Sequence, residues 1–161
     1  KSTLSRGLEK ALVDAGHAAY VLDGDNIRMR LNSDLGFSSE DRTENIRRVA
    51  EVANLLADAG LIAITAFISP FRADRAAARA IGRAPFFEVP CAAGLAVGES
   101  RDTKGLYKKA RAGGVPDFTG ISSPYEAPEN PEVRIDSAKE SVEAGVATLL
   151  AALRDRKILL R

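Results

Sequence analysis

The stretch AAYVLDGDNIR, residues 18–28, is a short apolar run that ends in two acids around a glycine. An apolar run of this length, without alternation, reads as a strand buried on both faces. It delivers Asp23 and Asp25 at its carboxyl end, where a helix then begins. Upstream, TLSRGLEKALVDAG (3–16) sets Leu4, Leu8, Ala11 and Leu12 on one helical face and stops at Gly16. Downstream, SSEDRTENIRRVAEVANLLADAG (38–60) is the clearest helix: Ser38 or Ser39 caps it, acids fill its first turn, and Gly60 ends it.

The same alternation runs to the end of the chain. LIAITAFISP (61–70) is a second strand closed by Pro70, and an Ala- and Arg-rich helix follows near Arg72 to Ile81. FFEV (86–89) reads as a third strand, kept short by Pro90, which cannot donate to a ladder. KGLYKKARAG (104–113) reads as a helix with a basic face, and the Gly- and Pro-rich stretch from Gly113 to Pro131 as a long loop. VRID (133–136) is the last strand and SAKESVEAGVATLLAALRDR (137–156) the last helix. Strands alternating with helices predict a parallel sheet covered on both faces, whose ligands bind beyond the carboxyl ends of the strands.

Composition narrows the function. The 161 residues suit one domain, 45% of them are apolar and 28% charged, and the formal charge is +1. That balance gives no global reason to expect nucleic acid or an anionic membrane as partner, and no apolar run is long enough to span a bilayer. One cysteine, Cys91, excludes an internal disulfide and makes a reducing, cytoplasmic compartment the expectation. With one histidine, His17, a zinc site or a His-dependent triad has almost nothing to be built from.

Chemistry therefore rests on local clusters. Asp23 and Asp25 suit the two tasks that phosphoryl transfer leaves to acids, assisting Mg²⁺ and accepting a proton from a hydroxyl. An isolated D-G-D is more often a helix-capping turn; Arg28, one turn on, favours the functional reading. Arg42, Asn45 and Arg48 recur every three residues, a face that suits a phosphate or sulfate ester or, taken alone, a solvated face paired with Glu40, Asp41 and Glu44. Ser69 lies just past the second strand, where capping the next helix competes with a nucleophilic role that has no visible base. Phe67, Phe71 and Phe118 are core or flat partners for a purine. Lys1, Ser2 and Thr3 open KSTLSRGLEK, either as a polar first turn or as the end of a phosphate-binding loop.

Taken in order, DGDNIR, LGF, EDRTENIRR, FISPFR, RDTKGLYKKARAG and PDFTGISSPYEAPENP resemble the adenosine 5'-phosphosulfate kinase family over nearly the whole chain. The resemblance implies a P-loop NTPase-like three-layer α/β/α fold with a parallel sheet. Residues 1–161 would form the kinase domain, with a lid at about 101–131, and the first strand and glycine half of the P-loop would precede Lys1. It implies transfer of the γ-phosphoryl of MgATP to the ribose 3'-hydroxyl of adenylyl sulfate. Lys1 would reach the β and γ phosphates, Ser2 and Asp23 would hold Mg²⁺, and Thr3, Arg101 and Ala138 would complete the ATP site.

Asp25, Asn26, Ile27, Arg28, Phe37, Arg42, Asn45, Ile68, Ser69, Lys104, Asp117 and Phe118 match the positions that hold adenylyl sulfate, with Phe37 and Phe118 on either side of its adenine. Lys1, Asp23, Asp25 and Ser69 would carry the catalysis, Ser69 matching a serine described in bacterial members as a phosphoserine intermediate. Direct in-line transfer is the physically simpler course, because positioning plus Mg²⁺ suffices. The resemblance further implies a homodimer and, in some members, fusion to an ATP sulfurylase, where a catalytically silent nucleotide-binding role is the alternative. EVPCAAGLAVGESRD (88–102) departs from the family pattern: its motif Asp is replaced and Pro90 interrupts the strand.

Overall fold

A computed structural model of the chain describes residues 1–92 and 124–159. Helix α1 (Ser2–Asp14) leads into β1 (Ala19–Asp23), a short α2 (Gly24–Met29), α3 (Ser39–Asp58), β2 (Ile62–Ala66) and α4 (Arg72–Ile81). After them come β3 (Cys91–Ala92), β4 (Ile135–Asp136) and α5 (Val142–Asp155). β1 pairs with β2 and β3 with β4, both pairs parallel, as the alternating pattern predicts.

Val21 and Leu22 are adjacent in β1 and both buried, so the strand is covered on both faces. On one side, Leu8 and Leu12 of α1 pack with Leu149 and Leu153 of α5, Val133, Ile135 and Leu159, with Ile62 and Ile64 of β2 against them. α3 packs against β2 and α4, and Ile46 and Val49 of α3 are buried. The two helices of the first side meet closely: a Cβ on Gly145 would lie 3.1 Å from Leu4 Cδ1, and one on Gly7 3.0 Å from Val146 Cγ2.

The helix ends follow from the sequence. Ser38 Oγ accepts from the Asp41 amide at 3.1 Å and Ser141 Oγ from the Ala144 amide at 3.2 Å. Gly16 and Gly60 adopt φ of +85° and +87°, and the following amides of His17 and Leu61 reach back to Leu12 and Leu56. That is the Schellman arrangement, in which a left-handed residue satisfies the last carbonyls of a helix. α5 ends with the same bonds, but Lys157, at φ +57°, occupies the left-handed position.

One predicted strand is absent. FFEV forms no ladder, and pairing starts only at Cys91, beyond Pro90. The Glu88 amide donates instead to Glu132 Oε2 at 2.7 Å, and Phe87 and Val89 pack on the core. Glu132 also takes a fork from Arg79 at 2.7 and 2.9 Å, so a carboxylate ties this stretch to α4 and to the approach of β4. The last strand is likewise shorter than VRID, and the final helix starts at Val142 because residues 137–141 form a turn and cap.

Replacing Lys157 by Gly removes a left-handed Cβ and should raise stability by about 0.5–1 kcal/mol in urea denaturation. The Arg79 fork, aided by the Glu88 amide, lowers the Glu132 pKa from its ordinary 4.5 to about 2. A depressed carboxylate contributes stability above its unfolded pKa and loses it as pH falls through the folded value. Glu132→Gln should therefore be less stable than the parent at pH 7, and the gap should close between about pH 4.5 and 2. Denaturation midpoints measured at pH 7 and pH 3 check this.

Candidate active site at the carboxyl ends of the strands

The register sets Asp23 opposite Ala66, so β1 and β2 end at the same edge. Asp23 becomes the N-cap of α2, its Oδ1 accepting from the Asp25 amide at 3.1 Å. The capping turn and the functional placement thus coexist. Asp25 and Asn26 are exposed on the first turn of α2, and Ile27 and Arg28 are half-buried behind them. Lys1 stands near the same edge, within electrostatic reach of Asp23 and Cys91. Ser2 and Thr3 are exposed at the start of α1.

The centre of the site is an aromatic ring with two cations beside it. The Arg28 guanidinium carbon lies 4.5 Å from the centroid of the Phe37 ring and that of Arg42 lies 5.8 Å from it. Arg28 Nη1 donates to the Gly36 carbonyl at 2.7 Å, and Arg42 Nε donates to the Phe37 carbonyl at 3.0 Å. The Gly36 amide in turn donates to Asp41 Oδ2 at 3.0 Å, which pins LGF to the first turn of α3. Burial and then the neighbouring Arg42 lower the Arg28 pKa, with Asp41 opposing. Two like charges, one of them partly desolvated, favour an anion between or beside them. The Phe37 ring itself stays 57% exposed, a flat apolar face held in place by charge.

Asn45 is buried and its Oδ1 accepts from Asn32 Nδ2 at 3.0 Å. Arg48 does not join this face. It forks onto Asp34 at 2.8 and 2.9 Å and bonds Glu44 at 2.8 Å, so the predicted trio reduces to Arg42 and Asn45. The reason is the turn at residues 30–36, which brings Asp34 back over α3. Ile68 is exposed just past β2, and Ser69 next to it adopts φ +44°. Ser69 does not cap α4, whose N-cap is Phe71 without a side-chain bond. Phe67 packs beside Gly24, not in the main core.

Ala138 is exposed in the turn after β4, its amide donating to Asp136 Oδ1 at 3.1 Å. Arg101, Lys104, Asp117, Phe118, the KGLYKKAR basic face and most of the atypical 88–102 stretch lie outside the described residues. Sequence reasoning missed Asn32, which lacks any motif, and Arg75, whose spacing with Arg72 and Arg79 along one face of α4 was the available signal.

The geometry defines a parallel α/β protein with acids, guanidinium groups and an aromatic face at one strand-end edge. The family model described as adenylylsulphate kinase matches residues 1–136. The adenylyl-sulfate kinase of Prochlorococcus marinus is 56% identical over 154 residues, covering 95% of this chain and 77% of the relative. That of Clostridium acetobutylicum is 55% identical over 159 residues, with 99% and 80% covered. Among solved structures, the APS kinase of Mycobacterium tuberculosis in complex with AMPPNP and APS superposes with a TM-score of 0.92 at 45% identity, covering 96% of this chain and 90% of that one. The chain belongs to the adenylylsulphate kinase family.

Phe37→Ala tests the ring's place in the site. Because the side chain is mostly exposed, the change should cost less than about 1 kcal/mol of stability. It should weaken adenylyl sulfate binding by about 5- to 150-fold, since a stacked base contributes about 1–3 kcal/mol by alanine substitution. Calorimetric titration beside a melting curve reads both quantities.

Proposed function

We infer that the chain transfers the γ-phosphoryl group of ATP to the ribose 3'-hydroxyl of adenosine 5'-phosphosulfate, giving the 3'-phosphorylated product and ADP. The observation that carries this reading is the Phe37 ring clamped by Arg28 and Arg42 beside the Asp23–Asp25 turn. A flat ring takes a nucleobase, the guanidinium groups take its phosphosulfate, and an acid stands at the helix start for the hydroxyl that attacks. The relatives named for this activity support it, as does the solved neighbour that carries both an ATP analogue and APS.

The residues divide accordingly. Phe37 stacks on the adenine of the acceptor, with Arg28, Arg42 and Asn45 around the phosphosulfate and Ile68 and Ser69 closing the strand-end side. Asp25 orients the 3'-hydroxyl and accepts its proton as the oxygen attacks. On the donor side, Lys1 meets the β and γ phosphates at the start of α1, where helix amide groups favour anions, and Ala138 lines the adenine pocket. Ser69 orients substrate and forms no phosphoserine in this scheme, because transfer between two bound substrates needs no covalent relay.

A magnesium ion fits the donor set. Ser2 offers a hydroxyl and Asp23 a carboxylate, both hard oxygen donors, and no group of three or more acid, His or Cys ligands stands among the described residues. Two hard oxygen donors suit a cation that takes its other ligands from phosphate and water. When bound, Mg²⁺ would neutralise charge on the phosphate chain. Residues 1–161 act as one kinase domain in this reading, and a cytoplasmic setting is supported by the free thiol of Cys91. No helix among the described residues is long and apolar enough to cross a membrane.

Asp25→Ala separates chemistry from folding. The side chain is exposed, so the melting temperature should move by no more than about 2 °C, whereas kcat for ADP formation in the full-length protein should fall by about 10²–10⁴. A variant that loses its fold along with activity, or that keeps near-normal turnover, would remove Asp25 from the reaction.

A further inference from the structure

Ser69 presents a problem that its own sequence neighbourhood does not solve. It has a Cβ, it adopts φ +44°, and Pro70 follows it. A left-handed conformation on a non-glycine residue is strained, and a following proline restricts that residue further toward extended backbone. Such a conformation persists only where its surroundings over-determine it. Here the surroundings supply one guanidinium and one backbone amide.

Arg75, in the first half of α4, has a side chain only 11% exposed. Its Nη1 donates to the Ser69 carbonyl at 2.8 Å, its Nη2 to the Glu126 carbonyl at 2.7 Å, and its Nε to Glu88 Oε1. Glu126 completes the clasp: its amide donates to the Pro70 carbonyl at 2.9 Å, and its Oε2 accepts from the Arg72 amide at 2.6 Å. Residues 69 and 70 are therefore held by carbonyl-directed bonds from both sides. The charge of Arg75 is already met by Glu88, so what remains for it to supply at Ser69 is direction.

We propose that Arg75 is a positioning residue for the phosphoryl-transfer site: it locks the left-handed Ser69 turn and so aims the Ser69 hydroxyl at bound adenylyl sulfate. Arg75 touches no substrate and acts through residue 69. The inference rests on the functional reading above for its kinetic consequence and on backbone geometry alone for its structural one. A planar fork is required, because three acceptors lie in three directions around one buried group; a lysine ammonium in the same place keeps the Glu88 pair and loses the shared geometry.

The test is Arg75→Lys in the full-length protein, assayed with ATP and adenylyl sulfate and crystallised without substrate. KM for adenylyl sulfate should rise at least tenfold while KM for ATP stays within twofold, and in the crystal Ser69 should leave positive φ. On a Ser69→Ala background the same change should raise KM less than twofold further. Glu88→Gln, which keeps an acceptor for Nε and removes the charge, should leave both KM values within twofold. The proposal is overturned if Ser69 keeps φ near its native value in Arg75→Lys, if both KM values rise together, if the two substitutions act independently, or if Glu88→Gln reproduces the tenfold effect. Absence of turnover in the parent protein would overturn the functional reading instead, and the Ser69 backbone in the variant would still decide the role of Arg75.

Discussion

Parallel pairing of β1 with β2, in the register that sets Asp23 opposite Ala66, is the constraint on which the rest of the molecule depends. It makes the chain leave both strands at one edge, so the Asp23–Asp25 turn and the Ile68–Ser69 turn become neighbours despite some forty intervening residues. A slip of one residue would exchange the two faces of the strand, moving Val21 and Leu22 each to the other helical layer. The same slip would carry Asp23 out of line with Ala66, so the register sets the site. Hydrophobic packing at the strand centres thus determines polar geometry at their ends.

Electrostatics then separates structural arginines from those that remain available. Arg48 is taken up by Asp34 and Glu44, Arg79 by Glu132, and Arg75 by Glu88 together with two carbonyls. Arg28 differs: its hydrogen bonds among the described residues go to the carbonyls of Leu35 and Gly36, and its ring partner Phe37 carries no charge. A guanidinium whose hydrogen bonds go to neutral groups keeps more of its attraction for an oxyanion than one already forked onto a carboxylate.

Much of this architecture was legible because it is written in local signals. Gly16, Gly60 and Ser38 mark helix ends through backbone conformation and capping, which act within a few residues, and each sits where the periodicity placed it. The strand end at Asp23 was equally readable from a short apolar run closed by acids. What stayed hidden depends on partners distant in sequence. FFEV has strand composition, but the Glu132 carboxylate, forty-four residues on, takes the Glu88 amide that a ladder would need. Arg48 suits either an oxyanion face or a face paired with nearby acids, and Glu44 together with Asp34 decides for the second. Arg75 was hardest to see, because its partners at Ser69 and Glu126 are backbone carbonyls, and every residue has one.

The central claim is that Asp25, Phe37, Arg28 and Arg42 hold adenylyl sulfate so that its 3'-hydroxyl attacks the γ-phosphorus of ATP directly. Its most direct test is the stereochemical course of transfer, followed with ATP made chiral at the γ-phosphorus by oxygen isotopes. One in-line displacement inverts that centre, so the account predicts inversion in the 3'-phosphate of the product. Retention, which two successive displacements through a phosphorylated side chain would give, or delivery of the label to water in place of the ribose, would contradict it.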